Sequence, residues 1–167
     1  MTLQPLKATV ITDASYCHTT QAGGYGAWIT MDSGTQVPLR VRKGGRLKGY
    51  PSNPAHAELL AALNGMWFAY TRGARRLLLQ TDNLAVVHII NGQVGPKQRS
   101  LRDEYVAAQA THFADAVIHA RHVKGHSRTQ DARSFVNRWC DHEAGVHMRA
   151  LRAERTPEFK NVKGIRT

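Results

Sequence analysis

Two short apolar runs that each stop on Thr-Asp constrain this chain more than any other feature. The first, Ala8-Thr9-Val10-Ile11-Thr12-Asp13, is rich in β-branched residues that suit a covered, pleated strand. The second, Leu77-Leu78-Leu79-Gln80-Thr81-Asp82, is short and apolar enough for a parallel strand covered on both faces. An ionised carboxylate at the end of a buried strand is costly unless a cation or hydrogen-bond donors meet it. In an open α/β sheet, sites gather at the carboxyl ends of the strands, so neighbouring strands of this kind would bring Asp13 and Asp82 together. Like charges held close repel, and a divalent metal ion is the usual remedy.

The remaining chain supplies the elements such a sheet needs. Ser15 to Gly24 reads as a polar, turn-rich loop. Gly26 to Met31 and Gln36 to Arg42 follow as strands about the Asp32-Ser33-Gly34 turn, and Pro38 puts the second near a sheet edge. Lys43 to Pro51 reads as a loop of Gly, Lys and Arg. Asn53 and Pro54 then mark the clearest helix start, as cap and first helical residue. Leu59, Leu63, Met66, Trp67 and Tyr70 repeat at helical spacing and define its expected core face. Glu58 sits beside that face, where Ala61, Ala62 and Gly65 are small enough to let another element approach. On a lone helix such a glutamate is usually just solvated.

Asp82 leads directly into a helix that Asn91-Gly92 closes, half of a βαβ crossover. Leu101 to Phe113 is helical, Ala116 to Val123 is an alternating strand, and the last firm element runs from Ser134 to Leu151. That helix carries Val136, Cys140, Ala144 and Met148 on one face, while Asn137 and Asp141, four apart, point the same way. Residues 152–167 read as a basic, flexible tail to a single domain over residues 1–151.

Charge decides the class of partner. Lysine and arginine total 23 against 12 acidic residues, a net charge of +11 that favours a polyanion, with nucleic acid first and an anionic membrane surface second. No apolar run approaches the roughly 18 residues of a spanning helix, and Met1 to Lys7 lacks a signal peptide's apolar core. A cytoplasmic protein without membrane attachment is expected. Cys17 and Cys140 have no paired framework and read as reduced thiols. His119, His122 and His126, with those cysteines, match no common zinc spacing.

Six segments carry a family resemblance: Thr12-Asp13-Ala14-Ser15, Gly24-Tyr25-Gly26-Ala27-Trp28, Ala57-Glu58-Leu59-Leu60-Ala61-Ala62-Leu63, Thr81-Asp82-Asn83, Val123-Lys124-Gly125-His126 and Asn137-Arg138-Trp139-Cys140-Asp141. Each is weak alone. Together and in order, over about residues 7 to 150, the chain resembles the type 1 ribonuclease H family, which hydrolyses the RNA strand of RNA/DNA hybrids. The resemblance implies a five-stranded mixed α/β sheet in the order 3-2-1-4-5, with helices on both faces. It also implies two-metal-ion catalysis with Mg²⁺, for which Mn²⁺ substitutes, leaving 5′-phosphate and 3′-hydroxyl ends. Asp13 would bridge both ions, Glu58 and Asp82 would complete one site, and Asp141 would serve the other. His126 would assist proton transfer or product departure. Nucleic-acid contacts are expected at Ser15, Tyr16, Asn53, Asn83, Lys124 and Asn137, with no small-molecule cofactor and a monomeric chain.

The sequence also departs from the family's pattern. Pro54, Ala55 and Leu84 stand where many members carry polar residues that touch the minor groove, which shifts recognition toward backbone groups and the Ser15-to-Thr20 loop. Gln93 to Arg102 is too short for the extra helix and basic handle of some members, so Lys97, Arg99 and Arg102 are either a reduced handle or a solvated face. The loop between His126 and Asn137 is long and contains Arg128 and Arg133. Two alternative functions remain. One is another metal-dependent nuclease or strand-transfer enzyme of the same fold, such as a junction resolvase or transposase core. The other is a nucleic-acid-binding module without catalysis.

Overall fold

A computed structural model of the chain describes residues 6–124 and 131–163. Strands β1 (Leu6–Tyr16), β2 (Gly23–Met31), β3 (Leu39–Arg46), β4 (Ala74–Thr81) and β5 (Val117–His122) form one mixed sheet in the expected order, β3-β2-β1-β4-β5. β1 is antiparallel to β2 and parallel to β4. Helices α1 (Pro54–Thr71), α2 (Leu84–Asn91) and α3 (Arg99–His112) belong to one side of the sheet, and α4 (Ala132–Lys163) to the other. Alternation along β1 explains the two layers. Ala8, Val10 and Thr12 are buried toward α1, while Thr9, Ile11 and Asp13 face the α4 side and stay partly accessible.

Helix starts and stops follow the sequence signals. The Asn53 side chain accepts the His56 N–H at 2.8 Å ahead of Pro54. Asn83 accepts the Val86 N–H at 3.1 Å, and Gly92 ends α2 with φ of 79°.

Four expectations need correction. β1 does not end at Asp13: the antiparallel ladder with β2 continues to Tyr16↔Gly23, so Ser15 and Tyr16 are strand residues. β3 lies at Leu39–Arg46, not Gln36 to Arg42. Pro38 cannot donate to a ladder, and the pairing with β2 begins one residue after it, at Met31↔Leu39. The buried face of α1 consists mainly of small residues, Ala57, Ala61, Ala62, Gly65 and Ala69 with Leu59 and Met66, whereas Trp67 is 43% exposed. A Cβ on Gly65 would stand 2.7 Å from Thr12 Cγ2 and 2.9 Å from Val10 Cγ1, so α1 approaches the sheet too closely for large side chains.

The fourth concerns the last helix, which continues past Leu151 to Lys163. Two of its charges just past Leu151 are partnered. Arg155 donates to the carbonyls of Gln21 at 2.8 Å and Gly49 at 2.7 Å and lies 4.0 Å over the Tyr50 ring, and Glu154 pairs with Arg46 at 2.7 Å.

Candidate active site

The parallel ladder between β1 and β4 ends at Ile11↔Gln80. Two residues further on, the strands carry Asp13 and Asp82, so the register brings the two acids level just where the strands part. Local bonds hold Asp82 in place: the Asn83 N–H reaches Thr81 Oγ1 at 3.1 Å, and the Val123 N–H reaches the Thr81 carbonyl at 2.9 Å. His122 Nε2 lies 3.1 Å from the Asp82 carbonyl, a contact the sequence did not suggest.

Glu58 arrives from the other layer. The small face of α1 lets the helix lie close over Val10 and Thr12, which carries Glu58 to Asp13 and Ala14 on β1. The Ala14 N–H donates to Asp13 Oδ1 at 2.9 Å and to Glu58 Oε1 at 3.3 Å, joining both acids through one backbone group. Carboxylate oxygens of Asp13, Glu58 and Asp82 all lie within 4.8 Å of one another.

Asp141 comes from below the sheet. Gly24 and Gly26 on β2 remove the side chains that would hold α4 away: a Cβ on Gly26 would stand 2.3 Å from the Cys140 carbonyl, and one on Gly24 2.2 Å from that of Ala144. The Cys140 thiol donates to the Ile11 carbonyl at 3.7 Å. Asp141 thereby lines the same cleft as Asp13 and Asp82, together with Asn137, Arg138 and Ser134. Ser134 and Arg138 had no role in the sequence reading. A polar stripe at 134, 137, 138 and 141 follows helical spacing and could have revealed them.

These carboxylates repel one another. Burial, then Asp82 and Asp141, push the Asp13 carboxyl up to about 6 from 3.8. Burial, followed by Asp13 and Asp82, holds Glu58 well above the usual carboxylate range. Glu58 Oε2 is buried with no hydrogen-bond partner. Burial, and after it the charge of Asp13, raises the Cys140 thiol to about 12, so it remains neutral.

The expected nucleic-acid contacts fall into three groups. Asn137 lines the cleft. Ser15 and Tyr16 continue β1 beyond Asp13, and exposed Lys124 follows β5. Asn53 and Asn83 spend their carbonyl oxygens on helix caps. His126 lies outside the described residues. The Arg102 guanidinium, expected either in a reduced handle or on a solvated face, donates to the Ile89 and Ile90 carbonyls at the end of α2.

The sequence pattern of the family described as reverse transcriptase-like matches residues 11–134, about three quarters of the chain. The chain belongs to that family. The matched span of this reverse transcriptase-like chain includes Asp13, Glu58 and Asp82 and stops before Asp141. Its sheet order and helices are those of the ribonuclease H fold, as the resemblance implied. The N-terminal RNase H domain of Rv2228c from Mycobacterium tuberculosis superposes with a TM-score of 0.63 at 22% identity, covering 89% of this chain and 98% of that one. RNase H1 from the archaeon Halobacterium salinarum gives 0.61 at 16% identity, with 86% and 98% covered. LC11-RNase H1, solved in complex with an RNA/DNA hybrid, gives 0.58 at 11% identity, again with 86% and 98% covered. None of the curated proteins matches the sequence.

Proposed function

We propose that this chain is a metal-dependent endonuclease that hydrolyses the RNA strand of RNA/DNA hybrids. The observation that carries the reading is the convergence of Asp13, Glu58 and Asp82 within 4.8 Å, from two neighbouring strands and a helix, with Asp141 facing the same cleft. Such a set is unstable without a cation. Its donors are hard oxygens, and Glu58 Oε2 is buried and unpartnered, which fits Mg²⁺ or Mn²⁺. Asp13, Glu58 and Asp82 would hold one ion and share Asp13 with a second, which Asp141 completes. Two divalent ions supply an activated water and charge stabilisation at the leaving oxygen.

The chain's own groups do the rest. Asn137 and Arg138 border the acids with hydrogen-bond donors suited to a phosphate oxygen, and Arg138 offsets negative charge there. Ser15, Tyr16 and Lys124 extend the contact along the substrate, and His126 assists proton transfer or product departure. Products carry 5′-phosphate and 3′-hydroxyl ends. The solved complex of LC11-RNase H1 with a hybrid supports that substrate class for this fold.

The deciding experiment compares hybrid, double-stranded RNA and double-stranded DNA of one sequence, with Mg²⁺ and with chelator. Cleavage of the hybrid RNA strand alone, and only with metal, is expected. Equal cleavage of hybrid and DNA duplex would favour a resolvase-like or transposase-like enzyme, and binding without cleavage would favour a non-catalytic module.

A further inference from the structure

α4 covers only part of its side of the sheet. Read across the strands in register, one row on that side holds Arg42, Trp28, Ile11, Gln80 and Arg121. The next holds Arg40, Thr30, Thr9, Leu78 and His119, and a third Lys7, Arg76 and Val117. The helix packs on β1, β2 and β3, above Gly24 and Gly26, and its first turns reach the first row from its Trp28 end as far as Ile11 and the cleft over Gln80. Beyond that reach the face is open: Lys7, Arg40, Arg76, His119 and Arg121 are exposed, and Val117 is 57% exposed.

Two properties separate this face from an ordinary solvated one. Surface charge normally mixes both signs, but here the rows carry only cations, and Asp32 borders the face from the loop after β2. Among the described residues, none of Lys7, Arg40, Arg42, Arg76 and Arg121 is paired with a carboxylate. Aromatic rings also gather at one end. Phe135 is 53% exposed and meets Trp28 edge-on at 6.1 Å, Trp139 meets it at 5.8 Å, and the Arg42 guanidinium lies 5.3 Å over the Trp28 ring.

We infer that this open, cationic sheet face with Trp28 and Phe135 at its margin is a second nucleic-acid site, which binds a single strand. Unpaired bases stack on exposed rings while the backbone follows a positive surface, whereas a duplex keeps its bases stacked inside and offers only phosphates. Ile11 and Gln80 belong both to the first row and to the lining of the carboxylate cleft, so a single-stranded extension of a bound substrate runs from the cleft onto the face. The site does not depend on cleavage.

The test measures binding in chelator of a labelled thymidine oligomer of about twelve nucleotides, a length suited to one such face. The double variant Arg76→Glu, Arg121→Glu is expected to bind it at least tenfold more weakly, with the slope of log affinity against log salt reduced by about 1.4 for two lost phosphate contacts. Phe135→Ala should weaken it about fivefold or more, and should leave an abasic strand of the same length unaffected. Affinity for a short blunt hybrid should stay within about twofold of wild type in both variants. Unchanged oligomer binding in the double variant overturns the inference. So does an equal loss for the blunt hybrid, which would assign the face to the duplex, or binding of anionic vesicles in place of the oligomer.

Discussion

Glu58 keeps one carboxylate oxygen buried and unpartnered beside two other acids, so in the metal-free protein this residue opposes folding. Glu58→Gln removes the charge and keeps the shape. We expect it to abolish cleavage and to raise the melting temperature in chelator, with each ~1 kcal/mol of relieved repulsion worth about 2–4 °C in a domain of this size. Its melting temperature should also rise less on adding Mg²⁺, because binding stabilises the native state by mass action. Wild-type cleavage with a wild-type Mg²⁺ shift would remove Glu58 from the site. Asp13 makes the same point through pH. Its native carboxyl titrates at about 6 against 3.8 unperturbed, so the native state binds more protons than the unfolded chain between those values. The stabilisation this confers is full below about pH 4 and lost as the pH rises through about 6. Melting in chelator from pH 4 to 7 should therefore show wild type losing stability relative to Asp13→Asn, and saturating Mg²⁺ should suppress that loss. Asp13 and Asp82 stood out in the sequence because a carboxylate at the end of an apolar run is costly enough to need a reason, whereas Glu58 and Asp141, on helices, were singled out only through the family resemblance. Arg138 was passed over, since an arginine on a helix is unremarkable by itself, although its helical spacing from Ser134 and Asp141 was there to read.

At the scale of the element, the site depends on how closely two helices lie on the sheet. Gly26→Ala would drive a methyl against the Cys140 carbonyl, 2.3 Å away, and backbone on both sides leaves little room for relief. Such overpacking costs about 1–3 kcal/mol, so we expect a lower urea midpoint. Cleavage should fall further than that loss predicts, because α4 carries Asp141 away from Asp13. A second prediction concerns Arg102, whose bonds to the Ile89 and Ile90 carbonyls close α2. Arg102→Met should lower stability by about 1.5–3 kcal/mol and leave the KM for hybrid unchanged; a raised KM at unchanged stability would restore it to a substrate handle. Helix starts were readable from Asn53-Pro54 and from Asn83. The extent of β1 was not, since its last residues are held by β2 alone and partner choice is a non-local matter.

For the whole molecule, the order of elements was readable from the residues themselves, whereas the strand order 3-2-1-4-5 came only from the family resemblance, because strand pairing is non-local. The last helix runs further than expected, because Arg155 bonds to carbonyls more than a hundred residues away in sequence, and nothing local announces that. Arg155→Ala should lower the melting temperature measurably, where a flexible tail would predict no change. The +11 charge acts at this scale too: affinity for hybrid should fall steeply with salt, at about 0.9 in log–log slope per phosphate contacted. The two outermost strands carry a different consequence. An unpaired strand edge is a template on which another chain can add, and among the described residues this sheet has one at each side. β3 presents Arg40, Arg42, Lys43 and Arg46, and β5 presents Arg121. Any two copies that meet edge to edge therefore bring cations against cations, so the same residues that draw a polyanion to the sheet keep it from growing into a fibre.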